Sequence, residues 1–404
     1  MFDLDRHHQW LEPDAMVALN RLKRQVLAEG KLLLDFSVLN PDIPPPTWLT
    51  DKLLEYTVKT NSHRYTVSGG IRRLKEAFAC KYSKRFGVSL NPECDICVCM
   101  GVKDGLQRLL QCLMPKGRGR VLVGKPCYPS YLAILRLVGF EFDFFEIGDH
   151  EDCALRSLIV KLEDGNFDGV LLNFPNNPTG LSVGRNFYRQ LKPYLEKAGV
   201  WVINDFVYGE MLHNGMAACS MLAEPGMREM GVELYSLSKA YSLAGWHLGA
   251  ALGNSCWLSR LSRLKAEVDW GNFLPIQEAG VQALTADCSL IDPIVSTYAR
   301  RAAVLAAGLR RLNWNVCQTN AGAVIWARYP AGWGSEGSVR LACRMLQKLG
   351  VLPLPGKVFG EEFDAYLRFA LVLSEENIYE ALNRLARLDV DASEIQGALV
   401  PKAG

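Results

Sequence analysis

Lys239 lies in "YSLSKAYSLAGW", a stretch of small and apolar residues. A lysine in such a setting is partly desolvated, which disfavours the ammonium and lowers its pKa. The resulting amine can form a Schiff base with an aldehyde. Asp205 closes another apolar run, "VWVIND". A carboxylate there is costly unless a cation faces it. A third run, "GVLLNFP", breaks into "NNPTG" and so ends in two amides, Asn176 and Asn177. Asparagine favours turns for local reasons, and amides at a strand's carboxyl end also suit a held ligand.

The elements that must carry these groups alternate. Strand-like runs at 96–100, 120–124, 140–147, 169–175, 200–205, 232–238 and 248–253 are separated mostly by helical patterns, among them 130–138 and 184–197. Apolar strands between helices predict β-α units and a mainly parallel sheet. Ligands in such sheets sit beyond the carboxyl ends of the strands. Those ends carry "GVKDG", "KPCYPSY", the two amides, Asp205 with Tyr208, and Ser238 with Lys239. "HRYTVSGG", with Tyr65, follows the opening helical stretch. One amine, one acid, amides, tyrosines and glycine turns converging on one edge form the set that pyridoxal phosphate requires, its protonated pyridine nitrogen being the cation for Asp205.

Around this large unit the chain predicts a helix over about 14–29, a proline-rich extended link "LNPDIPPP" (39–46), and a smaller α+β unit. The smaller unit is read from "AVIWARY", a helix near 337–349, "VLPLPG", "AYLRFALV" and a helix from about 375. The expected divisions are an N-terminal segment 1–45 packing with the small domain, a large cofactor-binding domain 46–285 and a small domain 286–404.

Composition excludes other classes. With 45 basic and 43 acidic residues the formal net charge is +2, which makes no electrostatic case for nucleic acid or a membrane surface. No run approaches the length of a membrane span, and the N-terminus lacks signal-peptide organisation. Twelve scattered cysteines fit reduced thiols and a cytoplasmic location better than a disulfide framework. Cys94, Cys97 and Cys99 have a C-x-x-C spacing, but no second pair follows at zinc spacing, so no metal site is expected.

The ordered motifs "HRYTVSGGIRRLKEAF", "NNPTG", "SLSKAYSLAGW" and "LRFAL" resemble the fold-type I, class I/II aminotransferases. Within them the chain is most similar to the subgroup of alanine-forming and LL-diaminopimelate aminotransferases. The resemblance spans nearly the whole chain. It implies an α/β fold, with a large domain built on a mainly parallel seven-stranded sheet and a smaller α+β domain. It implies pyridoxal 5'-phosphate as cofactor, an amino acid and a 2-oxo acid as substrates, and a homodimer with shared active sites.

Roles follow by motif. Lys239 would bind the cofactor aldehyde and then move a proton on the substrate. Asp205 would keep the pyridine nitrogen protonated. Asn177 and Tyr208 would bond the phenolic oxygen, leaving Asn176 as turn chemistry. Tyr128 would stack on the ring. The phosphate would rest on the backbone at Val102, with side-chain help from Lys103 and Ser236 and a minor part for Ser238. Tyr65 would reach the phosphate of the partner subunit. Arg368 would grip the substrate carboxylate in a planar, two-point contact.

Two positions depart from the family pattern. His247 stands where "SK-x-x-x-x-AGW" is normally followed by a phosphate-binding arginine. Its ring has no guanidinium fork. Leu39 stands where a glycine backbone normally lies against the substrate, adding bulk to the pocket. The same cofactor also serves elimination, racemisation and oxidation, and a non-catalytic cofactor-binding protein is a third reading.

Overall fold

A computed structural model describes residues 14–388, apart from 116, 214–218, 287–289 and 334–335. The outer parts of the expected terminal units, 1–13 and 389–404, lie outside the described residues. The strands are β1 (Leu34–Asp35), β2 (Ile96–Cys99), β3 (Arg120–Lys125), β4 (Glu141–Glu146), β5 (Gly169–Leu172), β6 (Trp201–Asp205), β7 (Gly231–Ser236) and β8 (Gly249–Gly253). They continue with β9 (Asn315–Val316), β10 (Val324–Arg328), β11 (Val351–Leu352), β12 (Leu354–Pro355) and β13 (Tyr366–Ala370).

A seven-stranded sheet has the order β2-β8-β7-β6-β5-β3-β4. Its inner pairs are parallel, and β8 runs antiparallel to both neighbours, β2 and β7. The sheet is therefore the mainly parallel, helix-covered one that the alternating pattern predicts. Its central strands are buried along their whole length, as expected when helices cover both faces. The chain order reverses beside β3, which pairs with both β4 and β5. A crevice opens at such a reversal, and the segments leaving β3 and β5 carry Tyr128 and Asn177 into it.

One strand ends earlier than its apolar run. The sequence predicts a strand through Pro175, but β5 stops at Leu172. The Asn173 side chain donates to the carbonyls of Asp205 (2.9 Å) and Pro175 (3.2 Å). Pro175 offers no N–H to extend a ladder. The apolar side chains beyond the strand stay buried in a turn instead.

The C-terminal part forms a four-stranded antiparallel sheet of order β12-β13-β10-β9. The N-terminal segment joins it: β1 pairs in parallel with β11, and helix Asp14–Ala28 packs on helix Ser338–Leu349. The proline-rich link is pinned at Asp42, whose carboxylate accepts two bonds from the Arg301 guanidinium at 2.7 and 2.8 Å.

Candidate active site

At the carboxyl ends of the parallel strands lies a cavity of about 1010 Å3. It is lined by every residue given a site role from the sequence except Tyr65: Leu39, Val102, Lys103, Tyr128, Asn177, Asp205, Tyr208, Ser236, Ser238, Lys239, His247 and Arg368. They come from segments separated by up to hundreds of residues, gathered because each strand of a parallel sheet delivers its C-terminal loop to the same edge.

Asp205 is the last residue of β6 and is buried. Tyr131 donates to its Oδ2 at 2.5 Å, and the Val207 amide donates to Oδ1 at 3.1 Å. Among the described residues it has no cationic partner. Burial pushes its carboxyl up to about 6, against the pull of those two hydrogen bonds. An acid so placed favours a buried cation or a protonated ring nitrogen facing it.

Lys239 follows β7 in a turn. Its Nζ donates to the Leu39 carbonyl at 2.6 Å. Desolvation, with further help from the charges of Arg368 and Lys103, lowers its pKa to about 8. About a tenth is therefore free amine at pH 7 and about half at pH 8. Ser236, at the end of β7, donates to the Ser238 hydroxyl at 2.9 Å and accepts the Ser238 amide at 3.1 Å.

Arg368 lies in β13, buried among aromatic and apolar side chains. Its Nη2 donates to the Ser37 carbonyl at 2.5 Å and its Nη1 reaches Asn177 Oδ1 at 3.5 Å. Its Nε is buried with no hydrogen-bond partner. A buried guanidinium that satisfies only part of its fork fits an additional planar anion. Burial lowers its pKa from a value so high that it stays charged.

The two amides differ in their contacts. Asn176 Oδ1 accepts the Thr179 amide (3.1 Å) and hydroxyl (2.9 Å), which is turn chemistry. Asn177 is held through its backbone by Asn173 Oδ1 at 3.0 Å, and its side-chain oxygen faces Arg368. Tyr208 is buried on the same wall, and burial raises its pKa.

Lys103 and His247 line the cavity beside the start of helix Val102–Leu113. Gly101 has φ 82 and precedes helix Val102–Leu113. The first residues of the helix, Val102 and Lys103, line the cavity, and free amides at a helix start favour anions. The Lys103 ammonium lies 5.1 Å from the Tyr128 ring centroid. His247 has φ 48, and its carbonyl accepts from Asn272 Nδ2 at 3.3 Å. Behind the helix start, the fully buried Lys265 pairs with Asp269 at 3.0 Å and Asp104 at 3.7 Å.

Tyr65 lies elsewhere. It is 88% exposed and lines a separate shallow depression with Trp270 and Phe273. Residues that sequence reasoning missed include Tyr131, Asn173 and Ser37. Tyr131 carried a readable signal, three residues after Tyr128 at the start of a helix, a spacing that sends two side chains to one face. The Ser37 contact uses a backbone carbonyl and left no signal in residue type.

The groups present fit pyridoxal phosphate. A desolvated amine, a buried acid lacking a cation, a helix start with a lysine, and a guanidinium with a free nitrogen suit the aldehyde, ring nitrogen and phosphate of the cofactor and the carboxylate of an amino acid. The sequence matches the model of the family described as "Aminotransferase class I and II" over residues 33–385. It is 32% identical to the glutamate-pyruvate aminotransferase AlaC of Escherichia coli, covering 89% of this chain and 88% of that one. It is 30% identical to an LL-diaminopimelate aminotransferase of Dehalococcoides mccartyi, covering 96% of this chain and all of that one (100%). Its fold superposes on a probable N-succinyldiaminopimelate aminotransferase of Thermus thermophilus with TM-score 0.84 and 29% identity, over 92% and 99% of the two chains. The chain belongs to the class I and II aminotransferases, pyridoxal phosphate-dependent enzymes that exchange an amino group between an amino acid and a 2-oxo acid.

Proposed function

We propose that this aminotransferase works through Lys239, Asp205 and Arg368. The cofactor, when bound, withdraws electrons from the substrate Cα and so loosens its proton. Lys239 would hold the cofactor through its amine and would carry the proton at the substrate Cα. The observation that carries this reading is the lysine's lowered pKa, about 8, in a cavity shared with a buried acid and a buried guanidinium. Asp205 holds the ring nitrogen protonated, and Tyr131 fixes the orientation of that carboxylate. Asn177 and Tyr208 would hold the ring oxygen, and Tyr128 would hold the ring. The helix start at Val102, with Lys103, Ser236 and His247, would hold the phosphate, and Ser238 would add a minor contact. Arg368 orients the α-carboxylate, and Leu39 narrows the space beside it.

The reading extends to assembly and place. Tyr65, Trp270 and Phe273 are exposed aromatic side chains at one depression, and exposed apolar clusters of this kind suit a second subunit. The enzyme is a cytoplasmic homodimer in which Tyr65 completes the partner's phosphate site. The large unit 46–285 holds the cofactor, 286–404 forms the small unit, and 1–45 packs with the latter. No helix among the described residues is long and apolar enough to cross a membrane.

The test is a half-reaction. The holoenzyme is mixed with single L-amino acids, and the visible band of the bound cofactor is followed. A transaminase loses the band with an amino acid alone and regains it with a 2-oxo acid. Ammonia release with the band retained would replace this reading with elimination. Borohydride should fix the cofactor to residue 239.

A further inference from the structure

The cavity holds more charge than the reading above uses. Its lining cations are Lys103, Lys125, Arg136, Lys239, Lys357 and Arg368, together with His247, and its lining carboxylates are Asp205, Glu361 and Glu362. Lys103, Lys239, Asp205 and Arg368 are already assigned to the cofactor and the α-carboxylate. Lys357 is tied to Glu361 at 2.9 Å, and Lys125 is ion-paired with Glu362. Arg136 is left: among the described residues no carboxylate pairs with it.

Arg136 is exposed and lines the cavity. Arg136 is on helix Ser130–Val138, which begins beside Tyr128 and presents Leu132, Ala133 and Arg136 to the cavity. Tyr131 of this helix donates to Asp205, which ties the helix to the buried acid of the cavity. Arg136 is five residues further along, a rise of about 7.5 Å. The guanidinium carbon lies 5.1 Å from the Phe142 ring centroid, and Phe142 meets Phe144 edge-on at 5.5 Å. Lys125 sits over Phe144 at 4.7 Å. Two adjacent cations are thus backed by two rings of β4, and only one of them has a carboxylate of the chain. A cation over an aromatic face keeps its outward N–H groups free for an anion.

We propose that Arg136 reads a side-chain carboxylate of the substrate, so that the enzyme prefers amino acids with an acidic side chain over neutral ones. The inference rests on the aminotransferase reading of the cavity. In it Arg368 takes the α-carboxylate, Lys239 faces Cα, and the side chain extends toward β4, where Arg136 takes the second acid. Lys125 stays with Glu362 and supplies positive potential without a direct bond.

Two measurements on the holoenzyme test it, both at low ionic strength because the site is open and screened by salt. The first is calorimetric binding of glutarate against butyrate, which differ by the second acid. Wild type should bind glutarate at least about tenfold more tightly, and Arg136→Leu should remove that preference. The second is the ratio of kcat/KM for L-glutamate over L-alanine, which should fall about tenfold or more in Arg136→Leu and be largely kept in Arg136→Lys. Equal binding of the two acids by wild type overturns the proposal. So does an unchanged ratio in Arg136→Leu, or a ratio lost in Lys125→Met and kept in Arg136→Leu. A wild-type band that neither amino acid bleaches counts against the aminotransferase reading, and the glutarate preference then still decides the role of Arg136.

Discussion

The acid and the amine at the site are tuned by burial in opposite senses. Asp205 is pushed up to about 6 while Tyr131 and the Val207 amide pull it down. Tyr131→Phe removes the stronger of those two bonds, so the carboxyl rises further. Activity that needs ionised Asp205 is then lost at a higher pH. The acid limb of the kcat/KM profile should move upward, and the rate at pH 7 should fall about tenfold. Superimposed profiles would show that Tyr131 has no say in the acid. Lys239, lowered to about 8, makes a second forecast. Its free amine grows about tenfold per pH unit below that value and saturates above it. Covalent cofactor uptake by the apoprotein should follow the same curve between pH 6 and 9. A flat rate across that range would place the lysine pKa elsewhere.

At the scale of elements, the helix start at Val102 depends on a buried clasp. Lys265, on helix Ser255–Val268, has a fully buried side chain and pairs with Asp104 of helix Val102–Leu113 and with Asp269. Arg108 bonds the same two carboxylates, reaching Asp269 at 3.2 Å. Asp104 Oδ2 also accepts the Met100 amide at 3.0 Å, which shapes the turn before Gly101. Removing one partner of a buried ion group leaves the rest uncompensated. Lys265→Met should cost about 2–4 kcal/mol in denaturant unfolding, Arg108 keeping the loss from being larger. It should also weaken cofactor retention, because the free amides of the helix lose their anchored position. Unaltered unfolding midpoint and retention would reduce the clasp to simple packing.

At the scale of the whole molecule, the exposed rings of Tyr65 (88%), Trp270 (56%) and Phe273 (42%) stand out on a surface otherwise rich in charge. Tyr65 and Trp270 lie 6.1 Å apart by ring centroid, and His63 and Phe273 5.8 Å. A charge introduced there opposes any apolar interface. Trp270→Glu should halve the mass seen in sedimentation equilibrium and lower cofactor retention together, if Tyr65 serves the neighbouring subunit. A wild-type protein that sediments as a monomer would remove the shared-site proposal while leaving the chemistry around Lys239 in place.

The sequence by itself determined the sheet and the groups it gathers. Apolar runs bounded by turns set the strands to within a few residues, because a doubly covered parallel strand must be apolar throughout. Parallel strands deliver their C-terminal loops to one edge, so Lys239, Asp205 and Asn177 could be placed together from the sequence. What only the tertiary structure decided are contacts made by backbone or by long-range neighbours. The Leu39 and Ser37 carbonyls on Lys239 and Arg368, and the early end of β5 at Leu172, depend on atoms common to every residue or on partners far along the chain. Arg136 is the clearest case: on a helix surface it reads as one more solvated arginine, and only the pairing of the charges around it leaves it without a counter-ion.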